Sequence, residues 1–149
     1  MMDVSGRKTL WIIRGLAGSG KSTLAEHILR SVYLKKTGDS VFSADDYFTD
    51  EDGTYTFDKT KLSKAHEQCL RNVHRQMVNE IPDIVVNNTF STKWEVEPYI
   101  QACSMHDYIP FVIECQNDFG SVHNVPPEVR VNMEARWENF HITQRQGDV

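Results

Sequence analysis

Short apolar runs along the chain alternate with longer segments whose apolar residues recur every three to four positions. The short runs have the length and continuity of strands buried on both faces. They are Thr9–Arg14 around Leu10-Trp11-Ile12-Ile13, a shorter one at Ser40–Ala44, Ile84-Val85-Val86, and Ile109–Cys115. The periodic segments predict helices. Ser22–Lys36 runs toward Gly38, a plausible stop. Lys59–Asn79 follows the capping residue Asp58 and carries Leu62, Ala65, Cys69, Val73 and Met77 as its apolar stripe. Thr92-Lys93-Trp94-Glu95 has the spacing of a capping box and opens a helix toward Met105, with Pro98 predicting a late start or a kink. Pro127 suits the first position of a last helix with Val129, Met133, Trp137 and Phe140 on one face. Asp45 to Asp58 is polar with a turn at Asp50-Glu51-Asp52-Gly53. Gln116 to Pro126 is an irregular connection, and 141–149 is a polar tail.

Strands alternating with helices imply a parallel sheet covered on both sides, a three-layer α/β fold with about four strands. The length, 149 residues, suits one domain spanning 1–149. In such sheets ligands bind beyond the carboxyl ends of the strands. Each predicted strand ends in polar residues, the second in Asp45-Asp46, the third in Asn87-Asn88-Thr89, and the fourth in Glu114-Cys115-Gln116-Asn117.

The first strand ends in Gly15-Leu16-Ala17-Gly18-Ser19-Gly20-Lys21-Ser22, which satisfies G-x-x-x-x-G-K-[ST] in full. The strand before it and the helix after it supply the context that a phosphate-binding loop needs. Backbone N–H groups from Gly15 through Thr23, among them those of Ala17, Gly18, Ser19 and Gly20, are expected to cradle phosphates. The helix start adds its dipole. Lys21 is expected to reach the β/γ-phosphates and the Ser22 hydroxyl to hold Mg²⁺.

Composition narrows the partners. With 16 basic and 21 acidic residues the net charge is −5, which argues against wrapping extended duplex nucleic acid. A strand end or a small phosphorylated molecule stays open. Cys69, Cys103 and Cys115 lack metal-type spacing and fit reduced thiols in a cytoplasmic setting. No run approaches the ~20 apolar residues of a membrane span, and residues 1–8 lack the apolar stretch of a signal peptide.

Asp45, beside the phosphate loop, is placed to hold Mg²⁺ through water or to accept a proton from an attacking hydroxyl. Asp46 reads as a cap. Gly15–Thr23, Asp45-Asp46-Tyr47-Phe48, the Gly53–Asp58 segment with Leu62 and Ala65-His66 after it, Asn88-Thr89, Trp94-Glu95, Pro98-Tyr99 and His123 with Val125-Pro126 and Met133 together resemble the polynucleotide-kinase-like P-loop family. The resemblance runs from about Leu10 to Trp137. It implies strand order 2-3-1-4, transfer of the γ-phosphate of ATP to a hydroxyl such as a nucleic-acid 5′-end or a nucleoside, and Asp45 as general base. Asn88, Thr89 and Arg130 are set against the acceptor. Two departures stand out. Asn87 replaces a carboxylate usual in the family, and no lysine or arginine occurs from Trp94 to Val129, where the family carries a lid arginine. Arg130 and Arg14 are the nearest substitutes, and His123 could lend charge if protonated. The rival reading is a nucleotide-binding protein that has lost catalysis and acts through a protein partner. A weaker third reading is a kinase of small metabolites.

Overall fold

Thr9–Gly15 forms the central strand, β1, of the computed structural model, which describes residues 6–33, 40–116 and 127–140. Lys21–Tyr33 is α1, Val41–Phe42 β2, Leu62–Val78 α2, Asp83–Asn88 β3, Lys93–His106 α3, Ile109–Cys115 β4 and Pro127–Arg136 α4. The strands make one sheet in the order β2-β3-β1-β4, and every neighbouring pair is parallel. The expected order is therefore found. Strand β1 lies between β3 and β4, so its carboxyl end, where the phosphate loop begins, is at the middle of the sheet's edge.

The period-2 geometry of β1 and β3 divides the core between two layers. Leu10, Ile12, Ile84 and Val86 face α2 and α3, where Cys69, Val73, Met77, Val96, Ala102 and Cys103 close the larger cluster. Ile13 and Val85 face α1 and its Ala25, with Trp11 and Cys115 packed beside them. Each such side chain, when fully buried, is worth about 1.5–3 kcal/mol relative to exposure. That sum, rather than helix propensity, holds α2 on the sheet. Among the described residues β4 is an edge strand. Ile109 is 46% and Phe111 50% exposed, so the cover expected on both faces thins out here.

Local chemistry moves several element boundaries. The second strand is only two residues long because Ser43 and Asp46 make a capping box that turns the chain into a 3₁₀ helix, Ala44–Phe48. The Ser43 N–H donates to Asp46 Oδ2 at 2.9 Å, which is the capping role expected of Asp46. Asp58 accepts from the Thr60 N–H at 3.0 Å, but it caps a short 3₁₀ turn, Lys59–Lys61, before α2 begins. Leu62, expected in the apolar stripe, is exposed, while Ala65, Cys69, Val73 and Met77 are buried. The Thr92–Glu95 capping box starts α3 on time, and the helix continues through Pro98. Helix α4 buries none of its own residues; Trp137 and Phe140, beyond its end, do the packing instead. The expected end of the first helix near Gly38, the 117–126 part of the lid with His123, and the tail from 141 lie outside the described residues.

Asn88 joins β3 to the Asp45 segment. Its Oδ1 accepts from the Ala44 N–H at 2.8 Å and its Nδ2 donates to Cys69 Sγ at 3.7 Å. Asn88→Ala would leave a buried N–H unpaired, which costs about 1–3 kcal/mol. A denaturant midpoint unchanged by this substitution would show that Asn88 does not hold the segment.

Candidate nucleotide and acceptor site

The loop between β1 and α1 depends on its glycines. Gly18 and Gly20 sit at φ +80° and +91°, where side chains with a Cβ are strained. Gly15 has another constraint. A Cβ there would collide with Ser19 Oγ and come within 2.8 Å of the Cys115 carbonyl oxygen. Gly15→Ala is therefore expected to cost about 1–3 kcal/mol through overpacking and to shift the loop. Thermal unfolding and nucleotide titration of that variant together check this, and parental values in both would contradict it.

Lys21 closes the loop on itself. Its Nζ donates to the carbonyl oxygens of Gly15 at 2.8 Å and Leu16 at 2.9 Å. Burial lowers the pKa of this ammonium, and the charges of Cys115 and Asp45 oppose that shift. Ser22 and Thr23 are exposed in the first turn of α1, Ala17 and Gly18 are half-buried in the loop, and Ser19 is buried. The Gly15 N–H donates to the Thr89 carbonyl at 3.2 Å, so the ends of β1 and β3 are tied together beside the loop.

Asp45 lies near the start of its 3₁₀ turn, and its carboxylate is exposed. The Tyr55 hydroxyl donates to Asp45 Oδ1 at 3.1 Å and orients the group. Burial, and then the Asp45 charge, push the Tyr55 pKa up, so the phenol keeps its proton. Sequence reasoning missed this partner. Its signal in the sequence was membership of the Gly53–Asp58 segment, which the structure returns antiparallel to Thr49. His66, on α2, is half-buried; burial lowers its pKa against the opposing charges of Glu95 and Asp45.

The remaining expected residues divide. Asn88 is 6% exposed and both ends of its amide are engaged by the protein, so the structure gives it a supporting position. Arg14 is no substitute for a lid arginine. It is 1% exposed and hydrogen-bonded to the carbonyls of Phe90, Ser91 and Glu138. Arg130 lies on the wall of a cavity of about 430 Å³ together with Leu16 and Ser19 of the loop, Glu114 and Cys115 of β4, and Trp137. Its Nε stands 3.6 Å from Glu134 Oε1.

No group of three or more His, Cys, Asp or Glu side chains suited to a metal occurs among the described residues. Mg²⁺ does not require one, since it keeps several waters and takes one or two protein ligands plus phosphate oxygens. Exposed Ser22 and Asp45 fit that donor set.

Comparison with known proteins gives the family and supports the fold. A model of the AAA domain matches residues 10–119. The chain belongs to that AAA domain family. Human NEDD4-binding protein 2 is 35% identical over 99 residues, which are 66% of this chain and 5% of that protein. Among solved structures, the Pnkp1/Rnl/Hen1 complex superposes with a TM-score of 0.58 at 17% identity, over 99% of this chain and 44% of that one. The APS kinase CysC of Mycobacterium tuberculosis superposes with a TM-score of 0.55 at 15% identity, over 87% and 93%. The chain thus spans a small part of its human relative and less than half of the first structure. The AAA domain here shares the α/β fold of these solved structures. No helix among its described residues is long and apolar enough to cross a membrane.

Proposed function

We propose that the chain is an ATP-dependent kinase that moves the γ-phosphate to a hydroxyl, on a nucleic-acid 5′-end or a nucleoside-like acceptor. The observation that carries this reading is the placement of the complete phosphate loop at the carboxyl end of the central strand, with Asp45 following the neighbouring strand end and oriented by the Tyr55 hydroxyl. The loop amides and Lys21 bind and orient the phosphates. Asp45, oriented by Tyr55, takes the proton of the attacking hydroxyl. Ser22 and Asp45 would hold Mg²⁺, whose chemistry when bound is to neutralise charge on the phosphate oxygens. The acceptor assignment is supported by the resemblance carried by Asp45-Asp46-Tyr47-Phe48 and Trp94-Glu95…Pro98-Tyr99. The net charge of −5 favours a strand end over a long duplex.

Turnover should be modest. A positioned arginine is worth about 10³–10⁵ in phosphoryl transfer, and Arg14 is held away from that role. Arg130, on the cavity wall beside the loop, is the arginine we assign to it. The same departure favours a second reading, a nucleotide-binding module that works through a protein partner. The name of the human relative, a NEDD4-binding protein, points in that direction. The test is incubation with ATP labelled at the γ-phosphate and a panel of oligonucleotides, nucleosides and small metabolites bearing free hydroxyls. Label on an oligonucleotide or nucleoside supports the kinase. Label on metabolites alone redirects the acceptor, and tight ATP binding with no labelled product supports the partner-binding module.

A further inference from the structure

The residue just before the phosphate loop is a buried arginine, Arg14, and the structure uses it as an anchor for the chain's distant end. Arg14 Nε and Nη2 donate to the Phe90 carbonyl at 3.0 and 2.6 Å, and Nη2 also reaches the Glu138 carbonyl at 2.7 Å. Phe90 itself sits at φ +48°, a conformation that costs energy in a residue with a Cβ and needs outside support. The guanidinium lies 4.1 Å from the centre of the Trp137 ring. The Glu138 N–H donates to the Ser91 carbonyl at 2.6 Å, and Glu138 Oε1 accepts from the Lys93 N–H at the start of α3. Phe140 packs into the main core. Taking an arginine out of water is costly, and so many contacts on one guanidinium fix the position of what it touches.

What it fixes is Trp137, and Trp137 lines the cavity of about 430 Å³ that opens on Leu16 and Ser19 of the phosphate loop. That volume is within the range of small-ligand sites, about 300–1,000 Å³. At the loop end, Ser19 Oγ is buried without a hydrogen-bond partner among the described residues. The cavity is thus bounded on one side by Leu16 and Ser19 of the phosphate loop and on another by the Trp137 ring that Arg14 holds, with Arg130, Glu114 and Glu134 also on its wall.

We propose that Trp137 binds the base of the nucleoside triphosphate whose phosphates rest on the loop, and that Arg14 is the positioning residue that holds the indole there. This rests on the nucleotide reading of the loop. Stacking of a base on an aromatic side chain is sequence-tolerant and worth about tenfold in affinity. The base therefore adds affinity that the phosphates alone do not supply.

The test compares ATP with inorganic tripolyphosphate, which carries the phosphates without the base. Trp137→Ala should weaken ATP about tenfold and leave tripolyphosphate unchanged, while Trp137→Phe keeps most of the ATP affinity. Arg14→Lys, which loses the planar fork, should give the same ATP-selective loss. Intrinsic indole fluorescence of the unmodified chain needs no variant, and ATP should quench it where tripolyphosphate does not. Equal weakening of both ligands, or unchanged ATP affinity in Trp137→Ala, overturns the base contact. So does ATP that binds the unmodified chain no more tightly than tripolyphosphate. An unmodified chain that binds neither ligand overturns the nucleotide reading itself.

Discussion

Asp45→Asn is expected to leave ATP binding close to that of the unmodified chain and to slow phosphate transfer by roughly 10²–10⁴, the usual contribution of a general base. Asparagine keeps the size of the side chain and still accepts the Tyr55 hydroxyl through its carbonyl oxygen, so the 3₁₀ turn should stay in place. What it loses is the capacity to take a proton from the acceptor. The neighbouring substitution is the control. Asp46 spends Oδ2 on the Ser43 N–H within the capping box, so Asp46→Asn should cost about 1 kcal/mol of stability and little rate. Parallel initial-rate and unfolding measurements on the two variants check this. Similar rate losses in both would mean that the segment matters only as a support.

Lys21→Ala is expected to weaken nucleotide binding about ten- to hundredfold, the range of a lost hydrogen bond to a charged group. The fold should survive, because what Lys21 contacts in the structure are two carbonyls of its own loop rather than the core. A pH dependence follows from the same residue. Burial lowers its pKa, so the neutral amine becomes populated at a lower pH than for an exposed lysine. A bound polyphosphate favours the ammonium and raises that pKa again. Binding then takes up a proton, and affinity should fall as the pH rises through the lowered pKa. Lys21→Ala should lose this alkaline limb. Calorimetric titration with ATP across the alkaline range reads both effects, and a limb that persists in the variant would assign it to another group.

The parts of the fold that short-range rules govern were legible in the sequence. The glycines and lysine of the loop, the apolar continuity of β1 and β3, the stripe Ala65-Cys69-Val73-Met77 and the Thr92–Glu95 box each state their structure within a few residues. The strand order needed more, because alternation and crossover handedness allow several arrangements and the family resemblance chose among them. The shortening of β2 was hidden because Ser43 and Asp46 compete with a strand by satisfying each other's backbone, a contest that apolar patterning does not register. Leu62 kept the spacing of the stripe but fell at the first residue of α2, just past the 3₁₀ turn, where the helix does not yet face the sheet.

The candidate site was legible where it is local and illegible where it is assembled from distant residues. Lys21 and Asp45 were readable from motif and strand position. Arg14 looked like a loop-side cation because it borders the glycines. Its partners are Phe90 and Glu138, 76 and 124 residues away, and no spacing rule links them. A lone charge at the end of an apolar central strand was the signal available, since such a residue must find partners or a pocket. Asn88 has a supporting contact that no local pattern announces: it bonds the Ala44 N–H, 44 residues away, and so helps to place Asp45.

The most direct measurement pairs ATP binding with phosphate transfer to a 5′-hydroxyl oligonucleotide in one preparation of the unmodified chain and one of Asp45→Asn. The expected result is similar ATP affinity in both, with labelled oligonucleotide from the unmodified chain and almost none from the variant. Equal transfer by the two would remove Asp45 as the base, and ATP bound tightly by both with no acceptor ever labelled would contradict the kinase.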